Sequence, residues 1–514
     1  MLFNHPLYGA FLVATWVGFW LLRRARSARV LFLVLASYSF YVYGTWEAAA
    51  GEPVPLPPLA WAILCLGVIF VGSTIDFFVC RALGHVKRPA SRNALLLASI
   101  AYYLGVLCIF KYGNFALDSL SSLLAAFGVD RKVEALHVVL PFGISFFTFE
   151  AMSYTIDVWR GQQEPSRSYL DYLLFICFFP HLVAGPIVRP GQMLPQIAAP
   201  PRADPVMQSR GLWRIATGLT KKIVIGDYLA QAIVDRVFDA PERFTALEVV
   251  LATYSYAALI YADFSGYSDV AIGSAALFGY ELPENFDVPY LSRNLQEFWH
   301  RWHISLSSWL RDYLYKPLGG SRAGPFSTYR NLFVTMVLGG LWHGAAWTFV
   351  VWGALHGVAL AATRMWQRAR VGRKANESGY DRQAAGDATR EPADVFQQLA
   401  GSDRWWGLAG VLLTFHFVCV AWIFFRAPTL SHASLMLGRI ARGSWVIDHI
   451  SPRVALVIAA AALLHLAPRS WDARVRDAFV RTPALVQGLV LAAFAVGLHL
   501  AAGARVEPFV YGQF

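Results

Sequence analysis

The stretch LGGLWHGAAWTFVVWG (338–353) lies at the centre of a run without any formally charged side chain, residues 331–363. One straight helix over that run would be on the order of 50 Å long at ~1.5 Å per residue. The hydrocarbon core of a membrane is only ~30 Å thick. The run therefore predicts two membrane-embedded pieces with a break at Gly339-Gly340 or at Gly344.

The histidine next to this break, His343, is a candidate catalytic residue. Ionisable side chains inside a membrane are costly and usually face a site or a pathway. The residues alone leave an alternative open, a neutral imidazole that is satisfied by an interhelical hydrogen bond. His356 lies on a different face of the same apolar region, and we predict a structural role for it.

The composition favours a membrane protein throughout. The 514 residues are 56% hydrophobic and 15% charged, whereas about a quarter of the residues of soluble domains are charged. The net charge of +11 comes mostly from short basic clusters between apolar runs, which is typical of membrane orientation signals and not of nucleic-acid binding. We predict an all-α polytopic membrane protein, with candidate spans or half-spans at 6–22, 31–46, 58–80, 94–110, 136–157, 169–188, 246–262, 266–280, 331–363, 405–425, 453–467 and 484–503.

The charge pattern also predicts orientation and organisation. A basic cluster at residues 23–29 follows the first apolar run, and the loop around Glu47 and Glu52 has no Lys or Arg. The N-terminus is therefore predicted outside and the basic cluster in the cytoplasm. We interpret 1–514 as one integral-membrane domain, in which the polar segment 369–404 is a disordered cytoplasmic insertion.

A second notable stretch is FWHRWHISLSSWLRDYLYKPLGG (298–320). Helical periodicity predicts one amphipathic helix whose polar side carries both histidines and whose other side carries tryptophans suited to the membrane interface. His300 and His303 could share a metal ion, but no Cys or acid–histidine pair accompanies them. We therefore expect no metal and no bound cofactor.

Two carboxylates occur in an apolar setting in YADFSGYSDVAIG (261–273), namely Asp263 and Asp269. Buried carboxylates need partners, and we expect the neighbouring hydroxyl groups or the arginines that follow to provide them. The Pro/Gly-broken segment PHLVAGPIVRPGQMLPQ (180–196) also enters the membrane. Several discontinuous segments together predict an internal cavity.

Taken together, these phrases resemble the membrane-bound O-acyltransferase family, and within it the branch of alginate O-acetyltransferase membrane subunits. The similar phrases occur in order over roughly residues 30–370, with a weaker match at both ends, and such a run is far more specific than a short motif. They are PFGISFFTFEAMSYTIDVWRG, FFPHLVAGPIVRP, YADFSGYSDVAIG, PENFDVPYLSRNLQEFWHRWHISLSSWLRDYLYKPLGG, GGLWHGAAWTFVVWGALHG and the C-terminal PFVYGQF.

The resemblance implies about 11–13 transmembrane or re-entrant helices around a central tunnel in a bacterial cytoplasmic (inner) membrane. It implies that His343 is catalytic and that His303 is its companion. The sequence departs from the family pattern at His300, where Arg is expected, and at Glu150, where Gln is common. His300 therefore inherits no catalytic role.

The chemistry of acyl transfer agrees with these assignments. An imidazole can take the proton of an acceptor hydroxyl near neutral pH and give it to the leaving thiolate. We assign His343 as general base and His303 as a second acid/base or a group that orients the donor. Arg301 and Arg311 could attract the phosphates of an anionic donor. The tunnel is predicted to include these two arginines, Asp263, Asp269, Trp302 and Trp342.

The expected function is transfer of an acetyl group from cytosolic acetyl-CoA towards an extracytoplasmic polysaccharide such as alginate. Because the chain shows no soluble catalytic domain, the resemblance implies a partner protein with an SGNH or esterase-like domain. Two alternatives stay open at this stage: D-alanyl transfer to teichoic acid, and a transporter or flippase whose broken helices form a translocation path. The polysaccharide itself cannot be identified from the sequence.

Overall fold

The computed structural model describes residues 3, 5–51, 54–129, 140–322, 324–377 and 404–501. It is 80% helical, and the described residues form no strand. The chain divides into two compact units. The first comprises 1–219, 267–283 and 508–514, the last of which lies outside the described residues, and the second comprises 220–266 and 284–507. The single membrane domain over 1–514 stays a prediction.

The first unit is built from membrane-length helices followed by shorter ones. Its second helix packs against the third and the seventh. Several of its helices have a proline in the first turn, where the missing N–H of proline costs nothing. The helices are α1 (Pro6–Leu21), α2 (Arg26–Ala49), α3 (Pro58–His85), α4 (Pro89–Leu107), α5 (Gly113–Ala126), α6 (Ile144–Trp159), α7 (Tyr169–Cys177), α8 (Phe179–Leu182), α9 (Pro190–Ala198) and α10 (Pro205–Thr220).

The second unit carries both histidine stretches. Short π-helical turns join several of its helices, as they do at Lys221–Asp227 and Arg311–Tyr315. Its helices are α11 (Asp235–Asp239), α12 (Ala246–Leu277), whose last residues belong to the first unit, α13 (Leu295–Arg301), α14 (Ile304–Leu310), α15 (Gly324–His343), α16 (Trp347–Glu377), α17 (Arg404–Arg426), α18 (Leu430–Arg442), α19 (Pro452–Leu466), α20 (Arg469–Arg481) and α21 (Ala484–Ala501).

Helices α15 and α16 form a tightly packed hairpin because two glycines lie where their backbones approach. A Cβ atom on Gly340 would lie 2.3 Å from the carbonyl oxygen of Phe349, and one on Gly353 would lie 2.4 Å from that of Met336. Real side chains do not tolerate such distances, so only glycine permits this approach. Of the two predicted positions for the break, the structure has it at Gly344, directly after the end of α15. Gly339-Gly340 is helical.

Among the residues that the structure describes, five helices are long and apolar enough to cross a membrane. They cover Arg26–Ala49, Pro58–His85, Pro89–Ala126, Ala246–Leu277 and Trp405–Arg426, and the pair α19 and α20, bent by 86°, would add a sixth if counted as one span. A polytopic all-α membrane protein is thus confirmed. The separate spans predicted at 246–262 and 266–280 were wrong, because α12 runs through both without a break.

The predicted insertion at 369–404 falls mostly on residues 378–403, which lie outside the described residues. Its first part, 369–377, continues α16. The helix is therefore longer than the apolar run that predicted it.

Candidate active site

The catalytic candidate His343 is the last residue of α15 and only 3% exposed. The helix ends there because the chain must turn at Gly344, where a Cβ atom would lie 2.0 Å from the ring of Phe349. The imidazole is surrounded by aromatic rings, with centroid distances of 5.0 Å to Trp342, 5.1 Å to Trp352 and 5.3 Å to Phe425. His343 thus lies in a site from which most water is excluded.

The second histidine, His303, interrupts the helix that the sequence predicted. Helix α13 ends at Arg301, α14 begins at Ile304, and His303 between them has φ +44°. The prediction of one continuous amphipathic helix was therefore wrong. His303 is fully buried, whereas His300 is exposed on α13, so the two histidines do not share a face.

The conformation of His303 is held by Asn285, which sequence analysis missed. Asn285 Oδ1 accepts hydrogen bonds from the backbone N–H of Ser305 at 3.2 Å and from its hydroxyl at 2.9 Å, and it lies 3.1 Å from His303 Nδ1. The backbone carbonyl of Asn285 accepts from the N–H of Ile304 at 2.9 Å. Asn285 therefore holds the turn between α13 and α14 through both its side-chain amide and its backbone carbonyl.

These contacts also define the protonation of His303. An amide oxygen only accepts, so the imidazole must donate from Nδ1, and Nε2 then carries the lone pair. Burial lowers the pKa of His303 to about 3. The segment lies outside the candidate spans. His303 is thus a neutral Nδ1–H imidazole at physiological pH and not an imidazolium acid.

A second strained residue lies close by in the sequence, in the loop PENFDVP that precedes α13. Val288 has φ +38°, and with His303 it is one of the two non-glycine residues with positive φ among those the structure describes. A β-branched residue in this conformation is costly and persists only where the surroundings enforce it. Such strain is typical of functional sites, and here the loop contains Asn285.

Trp342 connects the two histidines. Its ring centroid lies 6.1 Å from that of His303 and 5.0 Å from that of His343. The structure therefore brings together His303, Trp342 and His343, all of which the sequence nominated. Whether they act catalytically stays a prediction.

The tryptophans of the first histidine stretch are buried within the protein, so the prediction that they form a face exposed to the membrane interface was wrong. Trp299, Trp302 and Trp309 are all at most 7% exposed. Trp302 packs at centroid distances of 5.1 Å from both Phe286 and Trp422. Trp302 supports the turn at His303 through this aromatic packing.

Each predicted donor-binding arginine is already paired with a carboxylate. An oxygen of Glu297 lies 3.0 Å from Arg301, and both oxygens of Asp312 lie 3.0 Å from nitrogens of Arg311. These pairs offset the positive charge that was expected to attract an anionic donor. Donor binding by the two arginines therefore stays an untested prediction.

The buried carboxylates find partners that sequence analysis did not expect. Lys222 Nζ lies 2.5 Å from Asp263 and 2.7 Å from Asp227 in the second unit. In the first unit, Arg214 Nε lies 2.9 Å from Asp269. Both cations belong to the segment preceding α12, which sequence analysis did not nominate as a source of partners. A tunnel role for the two aspartates is not tested.

Glu150, the departure noted in the sequence, is fully buried in α6 of the first unit. Its Oε1 atom lies 3.1 Å from Nδ1 of His181 and accepts a 2.9 Å hydrogen bond from the N–H of Val188. The carboxylate thus ties α6 to the broken segment that contains α8.

Among the described residues, no group of three His, Cys, Asp or Glu side chains is arranged to hold a metal ion.

Fold and site together define a class, a polytopic membrane protein that buries two histidines beside one indole. The chain belongs to the membrane-bound O-acyltransferase family, whose profile matches residues 104–373. The predicted enzyme class, O-acyltransferase, is thereby confirmed.

The names of the similar proteins refer to different acceptors. A probable alginate O-acetylase AlgI of Pseudomonas putida is 34% identical over the full length of both chains. A peptidoglycan O-acetyltransferase of Helicobacter pylori is 32% identical over 85% of this chain and 79% of its own. A teichoic acid D-alanyltransferase of Bacillus subtilis is 28% identical over 56% of this chain and 69% of its own. The O-acetylating relatives thus match more of the chain at higher identity.

Proposed function

We propose that this protein transfers an acetyl group from cytosolic acetyl-CoA, across the bacterial inner membrane, to hydroxyl groups of an extracytoplasmic polysaccharide such as alginate. The observation that carries the proposal is the buried pair of His303 and His343 on either side of Trp342. The similarity to O-acetylating relatives over almost the whole chain supports acetyl as the acyl group.

In the proposed reaction His343 is the general base. It takes the proton of the attacking hydroxyl and returns it to the leaving thiolate, an effect worth roughly 10²–10⁴ in rate. Because His303 is neutral with its lone pair on Nε2, it serves as a hydrogen-bond acceptor that orients a reacting group. Asn285 is a positioning residue that holds His303 in this form.

The acetyl group must reach a polymer outside the membrane. We propose a partner with an SGNH or esterase-like domain that receives the group and passes it on to the polysaccharide. Co-purification of the full chain from solubilised membranes should recover such a protein. If only lipid and this chain are recovered while polymer acetylation persists in those cells, the partner is not needed.

The function is tested by His343→Ala in cells that make the polymer, with O-acetyl content measured by NMR. We expect the polymer to lose its acetyl groups while the variant inserts at the normal level. His300→Ala is the control, because that histidine is exposed on α13 and has no proposed catalytic role, so acetylation should persist. Persistent acetylation in His343→Ala would refute the site assignment. D-alanyl esters in place of acetyl would favour the teichoic acid activity, and an unmodified polymer with altered export would favour a flippase.

A further inference from the structure

A buried hydrogen-bond donor beside His343 has no assigned role. Trp352 is 1% exposed, and its indole Nε1 has no hydrogen-bond partner among the residues that the structure describes. A buried indole N–H normally finds a partner, and leaving such a donor unsatisfied is unfavourable. An unmet donor at this place therefore points to an acceptor that arrives with the substrate.

The indole lies directly against the proposed base. The ring centroids of Trp352 and His343 are 5.1 Å apart, and the two ring planes are almost perpendicular, at 89°. Phe425 contacts both rings, at 5.2 Å from Trp352 and 5.3 Å from His343. The indole that carries the unmet donor is thus in direct ring contact with the residue to which proton transfer is proposed.

Surrounding rings hold the indole in place. Trp422 stacks on Trp352 at 5.8 Å and 17°, and His356 packs against it at 4.8 Å. His356 is itself fixed, because Trp299 Nε1 donates to His356 Nδ1 at 3.3 Å. Trp352 cannot turn easily to find another acceptor. A donor that is already oriented needs no reorganisation during a reaction, which is what electrostatic catalysis requires.

We propose that the indole N–H of Trp352 donates a hydrogen bond to the carbonyl oxygen of the acyl thioester and stabilises the oxyanion that forms there. This inference rests on the proposed acyl transfer. It makes Trp352 a further catalytic residue, and it gives His356 and Trp299 the role of positioning residues.

The step balances as follows. The acceptor hydroxyl oxygen bonds to the carbonyl carbon, its proton passes to His343, and the carbonyl π electrons move onto the oxygen that Trp352 faces. When the C=O bond re-forms, the C–S bond breaks and the thiolate takes the proton from His343. The hydrogen bond is stronger to the oxyanion than to the neutral carbonyl, so it lowers the barrier.

The test is Trp352→Phe in the full-length protein in solubilised membranes of the polymer-making cells, which retain the proposed partner, assayed with acetyl-CoA and an alginate oligosaccharide. Phenylalanine keeps an aromatic ring but lacks the N–H group. We expect kcat to fall by about 10²-fold, as when one oxyanion donor is removed, while KM for acetyl-CoA stays within about twofold. The matched control is Trp61→Phe, because Trp61 is also buried and its indole N–H also has no hydrogen-bond partner among the described residues, but it lies in α3 of the first unit.

The two Phe variants separate the possible outcomes. Equal and small effects would mean that Trp352 only fills space, and the inference would fall while the proposed function stood. Absence of transfer in the wild type would refute the proposed function instead. Should Trp352→Phe not insert, replacement of Trp352 by 3-benzothienylalanine keeps the ring shape without the N–H. Unchanged kcat in that variant would also overturn the inference.

Discussion

At the scale of single residues, the site depends on Asn285 as much as on the histidines. Its side-chain oxygen satisfies three donors at once, two of them from Ser305 and one from His303. No property of the sequence PENFDVP singles out this asparagine, because its partners follow 18 and 20 positions later and meet it only when the chain turns back. His303 was nominated by a resemblance, whereas its tautomer follows from the contact with Asn285 and its neutral form from burial, which lowers its pKa to about 3.

Asn285→Ala should reduce acetyl transfer strongly, because it leaves buried donors of Ser305 and His303 unsatisfied. Each unmet donor costs about 1–3 kcal/mol, so the turn would shift and kcat would fall by at least ~10-fold. The measurement is kcat per inserted protein. Ser308→Ala is the control, since that hydroxyl donates only to the carbonyl of Ser305 at 2.9 Å. A wild-type rate in Asn285→Ala would contradict the positioning role.

Asn285→Asp makes a separate prediction about pH. Burial lowers the pKa of His303 to about 3, so in the wild type this group stays neutral throughout the range from pH 5 to 8. A carboxylate beside Nδ1 favours the imidazolium and raises the pKa of His303. Protonation of Nε2 would then remove the acceptor as the pH falls, so activity should be lost at a higher pH than in the wild type. Superimposable pH–rate profiles would show that neutral His303 is not required.

At the scale of elements, the hairpin of α15 and α16 places the site. His343 ends the first helix, Trp352 lies in the second, and Gly340 and Gly353 set the distance between them. The apolar run predicted both pieces and one of the two candidate breaks was right. The run could not predict that the glycines mark a close approach of backbones, since glycine also occurs where nothing lies near.

Gly353→Ala should destabilise this hairpin. The added Cβ would lie 2.4 Å from the carbonyl oxygen of Met336, and overpacking of this kind typically costs 1–3 kcal/mol. The melting temperature of the detergent-purified variant should fall, and transfer should fall with it because Trp352 would move. Gly438→Ala in α18 is the control, since no atom lies within 4 Å of its added Cβ. Equal melting temperatures for both variants would argue against the close approach.

At the scale of the whole molecule, the sequence predicts an orientation that the fold does not test. The basic cluster at residues 23–29 covers the start of α2, and Glu47 lies near the other end of that helix. With α2 as a membrane span, Arg24 is expected in the cytoplasm and Glu47 outside. Both side chains are exposed and can therefore be replaced by a reporter cysteine.

Labelling of intact cells with a membrane-impermeant maleimide checks this orientation. Glu47→Cys should react in intact cells, whereas Arg24→Cys should react only after permeabilisation. The background needs Cys108→Ser, because the other four native cysteines are buried. The reverse pattern would place the N-terminus in the cytoplasm and would invert the proposed direction of acetyl transfer.

The sequence by itself determined that the protein is embedded in a membrane, which family it belongs to and which histidines are candidates for catalysis. The long apolar runs and the low content of charged residues indicate a membrane protein whatever the packing of its helices. The long family-like phrases identify the family because they extend over much of the chain. His343 was predicted beside a break because an uncharged run longer than a membrane must bend.

Only the tertiary structure decided how those residues are held. The turn at His303, the amide that fixes its tautomer, the lysine between Asp227 and Asp263 and the indole beside His343 all depend on atoms that folding brings together. Helical periodicity placed His303 on a continuous helix because periodicity counts only positions along the chain. A strained turn at that point exists because Asn285, from a separate segment, satisfies the backbone and side-chain groups that the broken helix exposes.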